Sequence, residues 1–188
     1  MTAGSDWELV RQIQGGNAGA FAELVRRYEQ PVIHFCQRML GSREDAEDLA
    51  QEAFVRVYRH IAKLEPQAKF STLLFGIARN LALNHLRDSG RRGRGRTDSL
   101  DDHPLAADGF SGPAEQAGRA ETRSLIEQGL ARLSPDHREV LLLRELQGMD
   151  YDGIAEVLGC RKGTVKSRIA RAREQLRIEL TAIGGVWP

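Results

Sequence analysis

The sequence predicts an all-α protein: two small helical domains, an N-terminal helical bundle and a C-terminal helix-turn-helix, joined by a flexible linker. Three observations carry that expectation. Apolar residues recur at spacings of three and four near both ends of the chain. No stretch shows the alternation of a half-buried strand. Residues 88–120 lose periodicity altogether. The 188 residues suffice for one ordinary domain or two small ones. With 41% hydrophobic, 28% charged and only 6% aromatic residues, the chain is globular in composition and its core must be aliphatic.

Asp6 to Gln14 reads as a short helix stopped at Gly15-Gly16. From Ala18, the series Phe21, Leu24, Val25, Tyr28, Val32, Phe35 and Met39 lays one apolar face along a longer helix. Pro31 is expected to kink or split it, and Gly41 to end it. Ser42 is placed to cap the next helix, with Asp45 three residues on in a capping-box arrangement. Ala46, Leu49, Ala53, Val57 and Ile61 line its inner side. Ser71 is expected to cap a fourth helix through Leu86, completing a domain over residues 1–90.

Residues 91–120 read as the linker, since this Gly-, Asp-, Ser- and Arg-rich stretch cannot bury enough apolar surface to offset its ordering entropy. The second domain, residues 121–188, opens with a helix over Glu121 to Arg132. Ser134-Pro135 then supplies an N-cap and a proline at the first helical position of a helix running through VLLLRELQ to Gly148. Tyr151 to Leu158 is short and is followed by Gly159 and a last, basic helix.

The net charge is only +1, but charge is segregated. Residues 42–52 carry five acids and one base, residues 87–96 five arginines and one acid, and residues 98–121 six acids and Arg119. A longer basic segment, GCRKGTVKSRIARAREQLR, sets Arg161, Lys162, Lys166, Arg168, Arg171, Arg173 and Arg177 against a single Glu174. Together with the preceding YDGIAEVL it has the shape of a helix-turn-helix. At about 100° per residue, Val165, Ile169, Ala172 and Leu176 share one face and must point inward. Ser167, Ala170, Arg171 and Glu174 then point outward, with Lys166, Arg173 and Arg177 on one flank and Thr164 and Arg168 on the other. A narrow polar strip between basic flanks fits a DNA major groove whose two phosphate walls meet the cations. Arg171 is the candidate for a bidentate contact to guanine.

SPDHREVLLLRELQGMDYDGIAEVLGCRKGTVKSRIARAREQL resembles the promoter-reading C-terminal domain of extracytoplasmic-function sigma factors, GTVKSR followed by RAR being highly characteristic. In the N-terminal half, DAEDLAQEAFVRVYRHI resembles the family's helix that docks on the clamp helices of the RNA polymerase β′ subunit, and KFSTLLFGIARNLALNHLR its strand-opening segment. The resemblance implies that Asp48, Leu49, Gln51, Glu52 and Phe54 contact the polymerase clamp. It implies that Phe70, Ser71, Thr72, Arg79, Asn80 and Asn84 lie near the melted downstream promoter element. It sets Lys166, Ser167, Ala170 and Arg171 on the upstream (−35) element and Arg161, Lys162 and Thr164 on its phosphates. Core RNA polymerase (β′ clamp helices and β flap), promoter DNA and an anti-sigma factor are the implied partners. Leu73 stands where the family commonly has tryptophan, and Gly76 where it often has a basic residue.

The residues themselves suit these roles. An acidic helix is a poor DNA ligand and a good partner for basic protein helices, although DAEDLAQE alone also fits a solvated acidic first turn. Phe70, Phe75, Arg79 and Arg87 suit single-stranded DNA, although either phenylalanine could equally belong to the core. The alternative is a stand-alone helix-turn-helix transcriptional regulator, for which the acidic helix and FSTLLFGIARN have no use. No phosphate-binding loop, nucleophile elbow or zinc spacing points to an enzyme. The five histidines are scattered, and His34 and Cys36 do not face each other on a helix. No catalytic residue, metal or cofactor is expected. No apolar run approaches the roughly 20 residues of a membrane span, no secretory signal opens the chain, and the two cysteines lack ligand-like neighbours, which suggests a soluble protein of a reducing cytoplasm.

Overall fold

A computed structural model describes residues 5–91 and 113–184. Helix α1 (Asp6–Gln14) is capped by Ser5. Helix α2 (Gly19–Leu40) stops at Gly41, whose φ of 79° is left-handed. The expected split at Pro31 does not occur. Buried Leu24 before it and Val32, Phe35 and Met39 after it tie both parts of α2 to one core. That packing outweighs the roughly 3 kcal/mol that an interior proline costs. Ser42 caps α3 (Arg43–His60), its Oγ accepting from the Asp45 N–H at 3.2 Å.

A 3-10 turn (Ile61–Lys63) and a loop lead to α4 (Phe70–Arg91). This helix begins one residue before the expected cap: the Lys69 carbonyl accepts from the Thr72 N–H at 2.9 Å, and Ser71 sits inside the first turn. Phe70 decides the boundary. It is 1% exposed and meets Trp7 edge-on at 6.3 Å. Burying such a ring contributes about 1.5–3 kcal/mol, against about 1 kcal/mol for a serine cap. Helix α4 also runs five residues past the expected Leu86.

Of the expected linker, residues 92–112 lie outside the described residues. The rest is helical, since α5 (Pro113–Arg132) starts eight residues before Glu121. Its proline stands at the first helical position, where the missing N–H costs nothing. Helix α6 (Pro135–Leu141) is capped by Ser134 and passes into a π-helical turn, Leu142–Leu146, where the sequence pattern suggested one continuous helix. Helix α7 (Tyr151–Leu158) is capped by Asp150, which accepts from the Gly153 N–H at 2.8 Å, and ends at left-handed Gly159. Helix α8 (Lys162–Ala182) follows after a turn.

Helices α1, α3 and α4 pack around α2, while α5, α6 and α7 pack around α8. The two groups are not separate in space. Helix α4 packs on α7, α2 touches α5 and α6, and one core is continuous across the seam. Two consecutive residues of α6 hold it. The Arg138 guanidinium donates to the carbonyls of Leu130, Ala131 and Leu133 at the end of α5, and to Met39 at the end of α2, at 2.7–3.1 Å. A cation between two helix C-termini meets unpaired carbonyls and the negative ends of two dipoles. Burial alone lowers its pKa.

Glu139 is fully buried. It accepts from Arg79 of α4 through Nε and Nη2, at 2.7 and 3.1 Å, and from Arg168 of α8 at 3.5 Å. Burial pushes its carboxyl above the ordinary range, while Arg79 and then Arg168 pull it down. Removing one member of a buried pair leaves charge uncompensated at about 3–5 kcal/mol. Because Arg79 and Arg168 keep 16% and 26% exposure, Glu139→Ala is expected near the low end, about 3 kcal/mol. Urea unfolding of the full chain measures it, and a loss below about 0.5 kcal/mol, the size of an ordinary surface substitution, would contradict a stabilising role.

Candidate nucleic-acid interface

Helix α8 presents the faces its periodicity requires. Val165, Ile169 and Ala172 are at most 2% exposed, and Leu176 packs partly buried against them. Ser167, Ala170, Arg171 and Glu174 point to solvent. Thr164, Arg161, Lys162 and Lys166 are exposed around the first turns. Their environments differ. Lys162 pairs with Asp152 at 2.7 Å, Arg173 with Glu145 at 2.6 Å and Arg177 with Glu174 at 2.7 Å. Lys166 lies 5.9 Å from the centre of the Tyr151 ring, which also carries Arg144 at 4.9 Å. Among the described residues, the side chains of Arg161 and Arg171 have no hydrogen-bond or ion-pair partner, so neither guanidinium has an internal contact to give up when an anion or a base edge arrives.

Helix α4 behaves differently. Asn80 and Asn84 are exposed and Ser71 is half-buried. Thr72 is 5% exposed, beneath α7, where a Cβ added to Gly153 would come within 3.4 Å of its Oγ1. Arg79 is held by Glu139, and Phe70 and Phe75 are core residues, each 1% exposed. The loop between α3 and α4 and the exposed side of α4 border a cavity of about 480 Å³, lined by Gln67, Lys69, Leu73, Gly76 and Asn80, with Glu156 of α7 on its far wall. A Cβ on Gly76 would meet nothing within 4 Å, so its departure from the family pattern leaves open space there.

The acidic helix α3 sits beside an apolar groove of about 900 Å³ between α2 and α3, walled by Phe21, Val25, Ile33, Gln51, Phe54 and Tyr58. Tyr58 is 51% exposed and meets the Phe21 ring at a tilt of 59°, with the ring centres 4.8 Å apart. Gln51 and Phe54 therefore face the groove, and Phe54 is 7% exposed at its floor. Asp48 is exposed on the crest beside it, with Glu52 one turn on, paired to Arg56 at 2.7 Å. Leu49 turns to the other edge of α3 and packs against the core. A second apolar groove, of about 520 Å³, runs between α5 and α8, lined by Ile126, Leu130, Leu141, Leu176 and Leu180. Sequence pattern pointed to neither groove, nor to Arg138 and Glu139. An aromatic Tyr58 set between Arg56 and Arg59 was a signal for the first. Among the described residues, no group of histidine, cysteine and carboxylate side chains could hold a metal ion. His34 is half-buried, and burial lowers its pKa. Burial also pushes the Cys36 thiol up to about 12.

Residues 24–92 match the family model of sigma-70 region 2, and residues 123–176 that of sigma-70 region 4. The RNA polymerase sigma-H factor of Pseudomonas aeruginosa is 35% identical over 181 residues, 94% of each chain. The chain belongs to the extracytoplasmic-function sigma factors. The ECF sigma factor SigW of Bacillus subtilis is also 35% identical, over 91% of this chain and 94% of its own. Among solved structures, CnrH in complex with the cytosolic domain of CnrY is 28% identical with a TM-score of 0.67, covering 94% of this chain and 97% of that one. RpoE of Bartonella quintana, bound to the anti-sigma factor NepR, is 26% identical with a TM-score of 0.69, over 86% and 96%. This sigma factor directs core polymerase to promoters and assists strand opening at initiation. Helices α2–α4 carry the region 2 match, and α5–α8 the region 4 match.

Proposed function

We propose that residues 1–90 and 121–188 act as separate units once the sigma factor joins the polymerase, the first on the clamp and the melted strand, the second on the upstream duplex. Residues 91–120 connect them. Gln51 and Phe54 in the α2–α3 groove, with Asp48 and Glu52 on its crest, receive the β′ clamp helices, and Leu49 supports α3 from behind. The groove between α5 and α8 takes the β flap. Lys166, Ser167, Ala170 and Arg171 read the upstream element, while Arg161, Lys162 and Thr164 hold its phosphates. Ser71, Thr72, Arg79, Asn80 and Asn84, with the loop before α4, receive the separated strand, and buried Phe70 fixes the start of that face. The protein acts in the cytoplasm and contributes no catalytic residue of its own, since bond formation belongs to the polymerase. An anti-sigma factor would be a further partner, as NepR is for the RpoE of Bartonella quintana.

The observation that carries the promoter reading is the solvent-facing strip of α8 with an unpaired Arg171 at its middle. Arg171→Ala, in holoenzyme assembled on a library of upstream sequences, should cost about 1–3 kcal/mol of discrimination at one position. Affinity for core polymerase should stay the same. An equal loss on every sequence would reduce Arg171 to a phosphate contact.

A second observation concerns the strand face. Thr72 lies under α7 and Arg79 is bound to Glu139, so the packed arrangement keeps both from DNA. The two halves must therefore part before α4 can take a strand, and the polymerase, by binding each half at its own site, provides the means.

A further inference from the structure

Helix α1 lies outside both matched regions, yet it grips the loop that borders the α4 cavity. The Trp7 indole N–H donates to the Ala68 carbonyl at 2.7 Å. The Gln14 amide donates to the carbonyls of Ile61 and Leu64, at 2.8 and 3.0 Å. These three bonds hold the loop at its start and at its end. Between them Glu65, Pro66 and Gln67 stay exposed, and Gln67 lines the cavity with Lys69 and Asn80.

The helix that does the holding is itself firmly anchored. Leu9, Val10 and Ile13 are buried. Asp6 accepts from the Tyr28 hydroxyl at 2.6 Å and from Arg27 at 3.0 Å. Burial and the Asp6 bond raise the Tyr28 pKa, so its hydroxyl remains a donor at neutral pH. Gln14, in contrast, is an exposed side chain at the last position of α1 that packs into no core. Its two bonds reach 47 and 50 residues along the chain.

An irregular loop left free must be ordered when it binds, at the expense of affinity and of discrimination between similar ligands. A loop already fixed at three carbonyls has met most of that cost in folding. We infer that Trp7 and Gln14 are positioning residues for promoter opening: they hold residues 61–69 in the shape that selects among unpaired bases at the α4 cavity. The inference rests on the reading of α4 and this loop as the strand face. The chemical class of ligand is a single unstacked nucleobase of the separated DNA strand, recognised by the polar groups of the loop and by Asn80.

The test uses holoenzyme assembled from the full chain and a forked DNA probe whose single-stranded segment is randomised over six positions, the bound fraction being sequenced. Gln14→Met removes two bonds without touching the core, and Trp7→Phe removes the indole donor while keeping an aromatic ring. The double variant should bind the preferred strand roughly tenfold more weakly, the equivalent of one net hydrogen bond, and its base preferences should flatten. Gln14→Met alone should flatten them in part. Gln14→Met should leave the thermal midpoint close to the parent's and the double variant should lower it by only a few degrees, while affinity for core polymerase and affinity for the upstream duplex should match the parent. If the parent itself shows no base preference, the strand-face reading fails and the inference with it. If the parent is selective and the double variant keeps its preferences in full, or if Gln14→Met loses affinity for all bases equally, α1 only stabilises the fold and the inference is overturned.

Discussion

Tethering the two halves of this sigma factor in their packed arrangement should abolish promoter opening, and releasing the tether should restore it. Lys69 and Asp150 face each other across the seam at 2.8 Å, with 72% and 55% exposure, so cysteines there are open to reagent. Cys36 is buried with a raised thiol pKa and stays unreactive, so only the partly exposed Cys160 needs replacing by serine. In the Lys69→Cys/Asp150→Cys protein, a short bis-maleimide containing a reducible disulfide closes the bridge. Asp150 also caps α7, so its loss lowers stability by about 1 kcal/mol. The reduced form of the same protein carries that change too and serves as the reference. With the tether intact, Thr72 and Arg79 remain covered and the strand face is unavailable at any polymerase concentration, because no open population exists to be selected. The α2–α3 groove is lined only by residues of α2, α3 and the turn before α2, so the tethered protein should still bind core polymerase, more weakly for lack of the second attachment. Open complexes, scored by permanganate reactivity of unpaired thymines, should be lost and return on reduction. Equal opening before and after reduction would show that the packed arrangement is no barrier.

How far the structure could be read in advance depended on the range of the interactions. Caps and stops act within four residues, and Gly41, Ser42, Ser134 and Gly159 all stand where their chemistry suggested. The faces of α8 were equally legible, since Val165, Ile169 and Ala172 follow from period alone. Where local signals and packing competed, packing won. Pro31 did not break α2, and Phe70 displaced Ser71 from the cap. The helical start at Pro113 was hidden by a polar composition that offers no apolar face to recognise. What was invisible is what joins distant segments: Arg138 reaching Met39, Glu139 reaching Arg79, Gln14 reaching Leu64. A lone Arg-Glu pair in DHREVLLL carries no mark of burial, because the partners that make burial tolerable come from other helices. The same limit applies to the strand face. Arg79 and Thr72 were legible as candidates from the family resemblance, but the cover of Thr72 by α7 and the hold of Glu139 of α6 on Arg79 are tertiary facts.

Reversing the charge on the crest of α3 should separate polymerase binding from DNA reading. Asp48 and Glu52 lie on the solvent side of α3, next to an apolar groove of about 900 Å³ that Glu29 and Glu47 line directly, a shape suited to an amphipathic helix with basic edges. In Asp48→Lys/Glu52→Lys, two attractive contacts become repulsive ones. Like-charge juxtaposition at an interface costs several kcal/mol, so core affinity should fall by roughly a hundredfold or more, since each 1.4 kcal/mol is tenfold. The fold should survive, because exposed positions of this kind change stability by about 0.5 kcal/mol or less. One local effect needs separating from the loss at the interface. Glu52 pairs with Arg56 one turn on, and a lysine in its place sets two cations side by side, at about 0.2–0.5 kcal/mol. Adding Arg56→Glu restores an opposite-charge pair on the helix and leaves the reversed crest facing the partner. If the loss of core binding comes from the interface, this triple variant should remain defective, while a recovery of binding would trace the defect to α3 itself. In either variant the Arg171 strip of α8 is untouched, so binding of the full chain to upstream duplex should match the parent. Full core affinity in the folded double variant would remove α3 from the polymerase interface.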